Sequence, residues 1–312
     1  MKRILCIDGG GVRGIIAARV LQELERDTGK DVASMFDMVV GTSTGAILAG
    51  MLTMPDGTGE PAYTAGSAVR LYRDNASKIF QSSISHKIKG VFGFAEPKYP
   101  SSNLRSVLQK YFGNATLQNS MIPTMVTTYD IKNREAIILK SWRPEHGCLS
   151  KVDCMLASTA APSYFEPAAL TINGKESAFI DGGVYANNPV LCAIAEAKLL
   201  WPKEKNFSVM SVGTGWLESK INPDDVRGWG KAGWVLPIID ILFDGQTHTA
   251  DYIARRLVNN YIRIDGSMYF DIDPALDAAP ASNIELLEAY GRDLYRERKN
   301  EVAEFLKRQG EI

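Results

Sequence analysis

Ser43 has the surroundings of a nucleophile. It stands at the centre of Gly41–Gly45, which reads Gly-Thr-Ser-Thr-Gly, between the apolar runs Phe36–Val40 and Ala46–Met54. A nucleophilic serine must project its hydroxyl from a sharp turn between a strand and a helix, and glycines two residues before and after it relieve the crowding there. The helix N-terminus adds partial positive charge beside the hydroxyl. The pattern therefore predicts a serine nucleophile, with a simple helix N-cap as the alternative.

A second motif, Asp8–Gly14, reads Asp-Gly-Gly-Gly-Val-Arg-Gly and follows the apolar run Arg3–Ile7. Consecutive glycines allow backbone N–H groups to approach a ligand oxygen closely. In acyl transfer, each such donor contributes about 3 kcal/mol of transition-state stabilisation. The predicted oxyanion hole comprises the backbone of five residues: Gly9, Gly10, Gly11, Val12 and Arg13.

The same loop also fits a dinucleotide-binding fingerprint, with glycines at Gly9, Gly11 and Gly14 between a strand and a helix. Such a fold needs an acidic residue at the carboxyl end of its second strand, where the acid binds the ribose. The corresponding segment here, Val39–Ser43, contains no acid. The sequence thus disfavours a nucleotide-binding or redox protein, which stays as an alternative.

Asp181 follows the apolar residues Phe179 and Ile180 and precedes Gly182 and Gly183. A carboxylate at the end of a strand could accept the proton of the serine directly. With an ordinary pKa of about 4 it would be a poor base, so this role requires burial to raise the pKa. On its own, Asp-Gly-Gly also fits a simple turn.

A Ser-His-Asp triad is the alternative machinery, and it would need one of the chain's 3 histidines. His86 lies in a stretch rich in serine and lysine, and His146 lies in a predicted turn. His248 follows Ser43 and several aspartates, which is the chain order of the α/β-hydrolases. Because it lies in a helical pattern rather than in a loop at a strand end, we expect it not to act as the base.

Together these motifs resemble the patatin-like phospholipase family, whose pattern is Asp-Gly-Gly-Gly-x-Arg-Gly, then Gly-x-Ser-x-Gly, then Asp-Gly-Gly. A fourth signature of that family corresponds to Ala157–Pro162, which reads Ala-Ser-Thr-Ala-Ala-Pro. The resemblance implies a three-layer α/β/α fold with a central, mostly parallel sheet. It also implies that Ser43 forms an acyl-enzyme, that Asp181 is the base, and that the backbone of Gly9–Arg13 receives the oxyanion.

Family substrates are ester lipids, chiefly glycerophospholipids, cleaved by water without a metal or a cofactor. The resemblance therefore implies a phospholipid membrane surface as the partner. Some bacterial relatives are antiphage effectors that a cyclic nucleotide activates, so a small activating ligand is a further expectation. For Arg13 we expect an ion pair that orients the glycine loop, with a lipid phosphate contact as the alternative. The remaining alternative is a storage or interaction protein that keeps the fold without the activity.

The composition and the apolar runs argue against several other classes of protein. A net charge of -1 over 312 residues gives no reason to expect nucleic-acid binding. The 4 cysteines are far apart and form no CxxC pair, which argues against a zinc site and a secreted disulfide framework. No signal peptide precedes the run at Arg3, and the longest apolar run, Trp234–Phe243, is shorter than the roughly 20 residues that span a bilayer. We expect a cytoplasmic protein that contacts the inner membrane surface peripherally.

Apolar periodicity predicts a single α/β domain over 1–312, with the motifs within about 1–215 and a helical part at about 235–312. Further strands are predicted at Thr124–Thr128, Ala136–Leu139, Ala178–Ile180, Phe207–Val212 and Tyr261–Ile264. Helices are predicted at Ala65–Ile79, Asn103–Phe112, Asn188–Leu200, Pro237–Val258 and Ile284–Arg308. Two stretches without periodicity, Gln81–Pro100 and Glu218–Gly233, are predicted loops. Candidates for membrane contact are Lys87, Lys89, Phe92, Phe94, Lys98, Trp216, Trp229 and Trp234.

Overall fold

The computed structural model describes residues 1–81, 97–216, 223–228 and 230–307. Parts of the two predicted loops therefore lie outside the described residues. The same is true of six residues singled out above: His86, Lys87, Lys89, Phe92, Phe94 and Trp229.

Within the described ranges, eight β-strands form one mixed sheet. They are β1 (Lys2–Ile7), β2 (Met38–Thr42), β3 (Thr124–Asp130), β4 (Glu135–Lys140), β5 (Ala168–Ile172), β6 (Lys175–Asp181), β7 (Phe207–Val212) and β8 (Asn260–Ile264). Their spatial order is β5-β6-β3-β2-β1-β7-β8, and β4 pairs with β3 outside this path. The central strands β3-β2-β1-β7-β8 pair in parallel, whereas β4, β5 and β6 form antiparallel pairs.

Helices connect these strands. They are α1 (Gly14–Thr28), α2 (Val32–Met35), α3 (Thr44–Leu52), α4 (Ala65–Ile79), α5 (Ser101–Phe112), α6 (Pro144–Gly147), α7 (Lys151–Thr159), α8 (Gly183–Ala186), α9 (Val190–Leu200), α10 (Pro223–Val226), α11 (Lys231–Leu257) and α12 (Ala281–Lys307). Short 3₁₀ turns cover Gly11–Arg13 and Leu117–Asn119. None of the helices in the described ranges is long and apolar enough to cross a membrane.

The sheet separates two apolar cores, as the alternation along β1 illustrates. Side chains of successive strand residues point to opposite faces, so Leu5 and Ile7 face one side, and Ile4 and Cys6 face the other. The first pair packs in a core with residues of α1, α3, α4 and α12, and the second pair in a core with residues of α9 and α11. The predicted three-layer α/β/α fold with a mostly parallel sheet is therefore confirmed.

Each predicted strand and helix corresponds to an observed one, but β5, α7 and the four short helices α2, α6, α8 and α10 were not predicted, and α10 lies in the predicted loop Glu218–Gly233. β5 has only five residues, and although Leu170 is buried between the exposed Ala169 and Thr171, so short a segment gives a weak periodic signal. α7 is buried on nearly all sides and therefore lacks the polar face by which an amphipathic helix is recognised. The predicted start of α11 at Pro237 was wrong: the helix begins at Lys231 and contains the proline in its interior.

The topology brings the three motifs to one edge of the sheet. β1 and β2 are adjacent and parallel, with Ile7 opposite Gly41, so the residues that follow both strands meet at their carboxyl ends. Asp181 is the last residue of β6 and is paired with Thr128 of β3, the next strand beyond β2. Ligand sites of open α/β sheets lie at this edge.

Asp8, at the start of the glycine loop, forms a buried ion pair with Arg263 of β8. Arg263 donates to Asp8 Oδ1 at 2.9 Å and to Ser211 Oγ at 2.6 Å, and its Nη2 also bonds Asp8 Oδ2 and Asp265 Oδ2. Burial alone would lower the pKa of Arg263, but the two carboxylates raise it well above its usual value. The ion pair therefore anchors the start of the glycine loop to β8, the strand at one edge of the sheet.

Replacing Arg263 with leucine is expected to destabilise the fold by about 3–5 kcal/mol, because Asp8 and Asp265 would stay buried without a counter-charge. Urea unfolding followed by circular dichroism measures this loss. The matched control is Arg255→Leu. The Arg255 side chain is 52% exposed and pairs with Asp251 at the surface. Because exposed ion pairs contribute little, this replacement is expected to change the free energy of unfolding by about 1 kcal/mol or less. Equal unfolding midpoints for the two variants would contradict the assigned role of Arg263.

Candidate active site

Ser43 occupies a strained turn between β2 and α3. Its φ is 55° and its ψ is -122°, a conformation that residues with a side chain rarely adopt. A Cβ on Gly41 would lie 2.1 Å from the carbonyl oxygen of Gly45, and a Cβ on Gly45 would lie 2.3 Å from that of Ile7. The two glycines are therefore required by the close approach of three backbone segments.

Ser158 stabilises this turn from α7. Its Oγ accepts a hydrogen bond from the backbone N–H of Ser43 at 2.9 Å, and its side chain is fully buried. The sequence placed Ser158 in a family signature but gave it no role. The structure supplies the role, because a strained turn persists only where surrounding contacts fix it.

The backbone N–H groups of the glycine loop are not equally available to an oxyanion. Three of the five candidates donate to protein carbonyl oxygens: Gly9 to Asn187 at 3.1 Å, Val12 to Leu276 at 2.8 Å and Arg13 to Gly10 at 3.1 Å. Those of Gly10 and Gly11 donate to no protein acceptor within the part of the chain that the structure describes. Both glycines line the same pocket as Ser43. Of the five predicted N–H donors, those of Gly10 and Gly11 are therefore the two that are available to bind an oxyanion.

The glycine residues of this loop are needed for close packing against the protein itself. A Cβ on Gly9 would lie 2.4 Å from Asn187 Oδ1 and 3.3 Å from the Cβ of Ser43. Gly11 has a φ of 56°, and a Cβ there would lie 2.2 Å from the carbonyl oxygen of Leu276. Thr214, after β7, donates its hydroxyl to the carbonyl of Gly9 at 2.8 Å. These contacts place the loop directly beside the nucleophile.

These contacts also bear on the dinucleotide alternative. A Cβ on Gly14 would lie 2.2 Å from Thr44 Oγ1, so this glycine too is surrounded by the protein's own atoms. β2 ends at Thr42 and is followed by Ser43, so no carboxylate stands where a ribose would bind. The nucleotide-binding interpretation therefore has no support from the site.

Asp181 lies in the same pocket and is 1% exposed. Its Oδ1 accepts the N–H of Gly183 at 2.7 Å, while its buried Oδ2 lacks a hydrogen bond of normal geometry. Burial raises the pKa of Asp181 to about 7, although Ser43 and the N–H of Gly183 oppose the rise. The carboxyl group therefore has the pKa that a general base needs near neutral pH.

Gly182 and Gly183 complete the turn after Asp181 by close packing. A Cβ on Gly182 would lie 2.2 Å from Thr127 Oγ1, and a Cβ on Gly183 would lie 2.9 Å from the ring of Phe243. The Asp-Gly-Gly sequence is thus more than a surface turn. Its two glycines allow the turn after Asp181 to pack between Thr127 of β3 and Phe243 of α11.

The pocket that contains Ser43 and Asp181 is mainly apolar. Its apolar lining residues include Ile47, Leu71, Ala76, Ile79, Phe80, Leu104, Tyr164, Phe165, Phe243 and Leu276. A pocket of this composition favours a hydrocarbon chain over a polar group. The arrangement therefore combines a serine, a carboxylate of raised pKa, two N–H donors and an apolar wall.

Arg13 does not form the predicted ion pair among the described residues. Its Nε donates to the carbonyl oxygen of Gly10 at 3.4 Å, so it contacts the glycine loop through the backbone. Burial lowers the pKa of Arg13, and the more distant carboxylates of Asp240 and Asp244 oppose that shift. The ion pair that anchors the loop is instead the one between Asp8 and Arg263, which no sequence signal indicated.

His248 lies away from the serine. It lines a small polar pocket with Asp8 and Arg13, and its ring packs edge-on against Trp216 with the centroids 6.0 Å apart. His146 lies in α6, and neither of these two histidines lines the pocket of Ser43. Among the histidines that the structure describes, the geometry therefore offers no base for a triad.

The fold and the site together are those of an α/β protein with a serine at a turn between a strand and a helix. Residues 5–194 match the family described as "Patatin-like phospholipase". The chain is 32% identical to Patatin-like protein 2 of Arabidopsis thaliana, with 94% of this chain and 82% of the relative covered. It is 31% identical to Patatin-T5 of Solanum tuberosum, with 95% and 84% covered. The chain belongs to the patatin-like phospholipase family.

A solved structure, VipD from Legionella pneumophila, also aligns with the chain. The alignment covers 95% of this chain and 67% of VipD at 12% sequence identity, with a TM-score of 0.39. This likeness is too weak to bear on the arrangement of the site.

The raised pKa of Asp181 predicts the pH dependence of hydrolysis. A base must be unprotonated, so kcat/KM is expected to rise with pH and to level off above about 7. Initial rates on a soluble ester between pH 5 and pH 9 measure this. An acid limb with a midpoint near the ordinary carboxyl pKa would contradict the prediction.

The same shift has a consequence for stability. Because the folded-state pKa lies above the ordinary value, Asp181 contributes stability that is fully present at pH values below about 4 and is lost as the pH rises through about 7. The difference in unfolding free energy between Asp181→Asn and wild type is therefore expected to increase in favour of the variant as the pH rises from 5 to 8. A difference that does not change with pH would show that Asp181 is not titrating in this range.

Replacing Ser158 with alanine is expected to lower kcat by about 10- to 100-fold, because the N–H of Ser43 loses its acceptor and the hydroxyl shifts from its productive position. KM should change little, since Ser158 does not line the pocket. Steady-state kinetics on a soluble ester measure both. The control is Ser106→Ala, which removes only an exposed hydroxyl bonded to Lys78. A kcat equal to that of the control would exclude this role.

Proposed function

We propose that this protein is a lipid acyl hydrolase of the phospholipase A type, in which Ser43 and Asp181 act as a catalytic dyad. The observation that carries the proposal is the buried Asp181, whose pKa is raised to about 7 in the pocket of a serine held in a nucleophile turn. Membership of the patatin-like phospholipase family supports hydrolysis of lipid esters.

In the acylation step, Ser43 Oγ attacks the ester carbonyl carbon while Asp181 Oδ2 takes the hydroxyl proton. The free Oδ2 supports this direction of transfer, because the other oxygen already accepts the N–H of Gly183. The carbonyl oxygen becomes an oxyanion that the N–H groups of Gly10 and Gly11 stabilise. Collapse breaks the ester bond, and the proton on Asp181 passes to the departing alcohol of the lysophospholipid.

In the deacylation step, water attacks the acyl-enzyme and Asp181 takes the proton of that water. The second oxyanion uses the same two N–H donors. When it collapses, the proton returns from Asp181 to Ser43 and the fatty acid leaves. One carboxyl group thus serves both steps, and no histidine, metal or cofactor is needed to balance the protons.

The substrate class follows from the lining of the pocket. Aromatic and aliphatic side chains surround the serine, among them Ile47, Phe80 and Phe165, and they match a fatty acyl chain. A glycerophospholipid presents such a chain on an ester, which is the reacting group that the serine and the two N–H donors fit.

The test compares three variants on a phospholipid substrate with fatty-acid release as the readout. Ser43→Ala and Asp181→Ala are each expected to lower kcat by about 10³-fold or more, because the two side chains act as one unit. His248→Ala should stay within about threefold of wild type, since His248 lies in a different pocket. Loss of activity in His248→Ala with survival of Asp181→Ala would replace the dyad by a triad.

A wild-type protein that cleaves no lipid or nitrophenyl ester would instead support the storage or interaction alternative. A melting temperature raised by NAD(H) would favour the nucleotide-binding alternative. The antiphage role and activation by a cyclic nucleotide remain predictions from the family resemblance, and cytoplasmic localisation remains a prediction from the sequence. Contact with a phospholipid membrane surface is part of the proposal, because the substrate resides there.

A further inference from the structure

Helix α11 has apolar side chains on two opposite faces. Its inner face includes Phe243, Ala250 and Ala254, which are buried. Its outer face carries five large apolar side chains with 36–58% of their surface exposed: Trp234, Ile238, Ile241, Leu242 and Tyr252. We call these five residues the outer stripe. An ordinary surface helix presents charged and polar residues there, so the outer stripe requires a separate explanation.

The spacing of the outer stripe follows the helical repeat. Trp234, Ile238 and Ile241 recur at intervals of three and four residues, and Tyr252 lies about five turns after Trp234 at 3.6 residues per turn. Phe243 lies about half a turn away from Ile241, on the opposite side of the helix. Trp234, Ile238, Ile241 and Leu242 thus form one contiguous apolar patch, and Tyr252 lies on the same side of the helix beyond Gly245 and Thr249.

The inner face of the same helix is part of the active site. Phe243 lines the pocket of Ser43 and Asp181. Gln246 Nε2 donates to the carbonyl of Val184 at 2.7 Å, and Thr247 Oγ1 accepts from Asn187 Nδ2 at 3.0 Å. A single helix therefore separates the outer stripe from the pocket.

We propose that the outer stripe is the surface by which this enzyme contacts a phospholipid bilayer, so that α11 lies in the interface with its inner face toward the acyl pocket. The proposal rests on the proposed function, because it assigns the bilayer as the source of the lipid. Aliphatic side chains in the middle of the stripe would enter the acyl region. Trp234 and Tyr252 at its ends would lie at the headgroup level, where amphipathic rings are favoured.

Two observations favour a bilayer over a second copy of this chain. Five partly buried side chains present on the order of 400 Å² of surface, whereas a stable protein–protein interface takes about 800 Å² from each partner. In addition, Phe243 of α11, the helix that carries the stripe, forms part of the wall of the pocket. The stripe and the pocket therefore lie on opposite sides of one helix, which is about 10 Å across.

The basic residues near the C-terminal end of α11 fit the same partner. The Arg256 guanidinium lies 3.5 Å from the ring centroid of Tyr252, and the Arg255 side chain is 52% exposed. Arginine beside an interfacial aromatic residue can contact the phosphates of an anionic lipid surface. The stripe thus combines an apolar centre with a cationic end.

The experiment measures vesicle binding and soluble-ester hydrolysis separately. Binding is followed by co-flotation of the full-length Ser43→Ala protein with vesicles of equimolar phosphatidylcholine and phosphatidylglycerol. Adding Ile241→Glu and Leu242→Glu is expected to lower the vesicle partition coefficient by about tenfold or more, because two charges would enter the apolar region. In the active enzyme, the same double change should leave kcat/KM on a short-chain nitrophenyl ester within about twofold of wild type.

The control is Leu199→Glu, which adds one glutamate in place of an exposed leucine of α9 outside the stripe, and it is compared with each single change, Ile241→Glu and Leu242→Glu, as well as with the double variant. It should retain both vesicle binding and ester hydrolysis. Wild-type-like vesicle binding by the double variant would overturn the proposal, as would an equal loss in the control. An equal loss of ester hydrolysis would show that the stripe supports the pocket rather than contacting lipid.

Light scattering after gel filtration tests the competing occupant. A wild-type dimer that the double change converts to a monomer would assign the stripe to a second copy of the chain and overturn the proposal. Failure of the proposed function is distinguishable, because it would remove ester and phospholipid hydrolysis from the wild type. Vesicle binding is measured in a variant that needs no activity.

Discussion

The close approach of the Gly45 backbone to the carbonyl oxygen of Ile7 is the constraint on which the site depends. It brings the end of β1 against the first turn of α3, so the glycine loop and Ser43 must be neighbours. No side chain fits between these segments, since a Cβ on Gly45 would lie 2.3 Å from that oxygen. Two motifs that are separated in the sequence thereby become one backbone assembly, in which Ser43 and the N–H groups of Gly10 and Gly11 have fixed relative positions.

Long-range contacts fix this assembly from three directions. Arg263 anchors Asp8 from β8, Ser158 accepts the N–H of Ser43 from α7, and Thr214 bonds the carbonyl of Gly9 after β7. Each contact joins segments that lie far apart in the chain. The strained turn at Ser43 persists because the surrounding fold opposes its relaxation, and a preorganised site of this kind needs little rearrangement during reaction.

The sequence was informative where chemistry requires a particular residue at a fixed spacing. Gly41, Ser43, Gly45 and Asp181 could be identified because turn geometry and proton transfer limit the choice of residue. Arg263 could not be identified, because Asp8 and Ser211 become its neighbours only through strand pairing. The choice of Gly10 and Gly11 among five candidate donors was equally inaccessible, since it depends on the carbonyl groups of Asn187 and Leu276. The fold class was predictable from the strong apolar periodicity of the longer elements, while α7, which has no polar face, and the five-residue β5 were not.

Asp181 shows how stability and function oppose each other at this site. Burial raises its pKa to about 7, so carrying the negative charge at neutral pH has a free-energy cost to the folded state. In the proposed mechanism, that cost makes the carboxylate basic enough to take a proton from serine. Burial raises the pKa of Asp8 to about 7 as well, against the opposing effect of Arg263, but the Asp8 carboxylate is bonded to that guanidinium. Asp181 has no cationic partner among the described residues, so its Oδ2 is available to exchange a proton in the proposed mechanism.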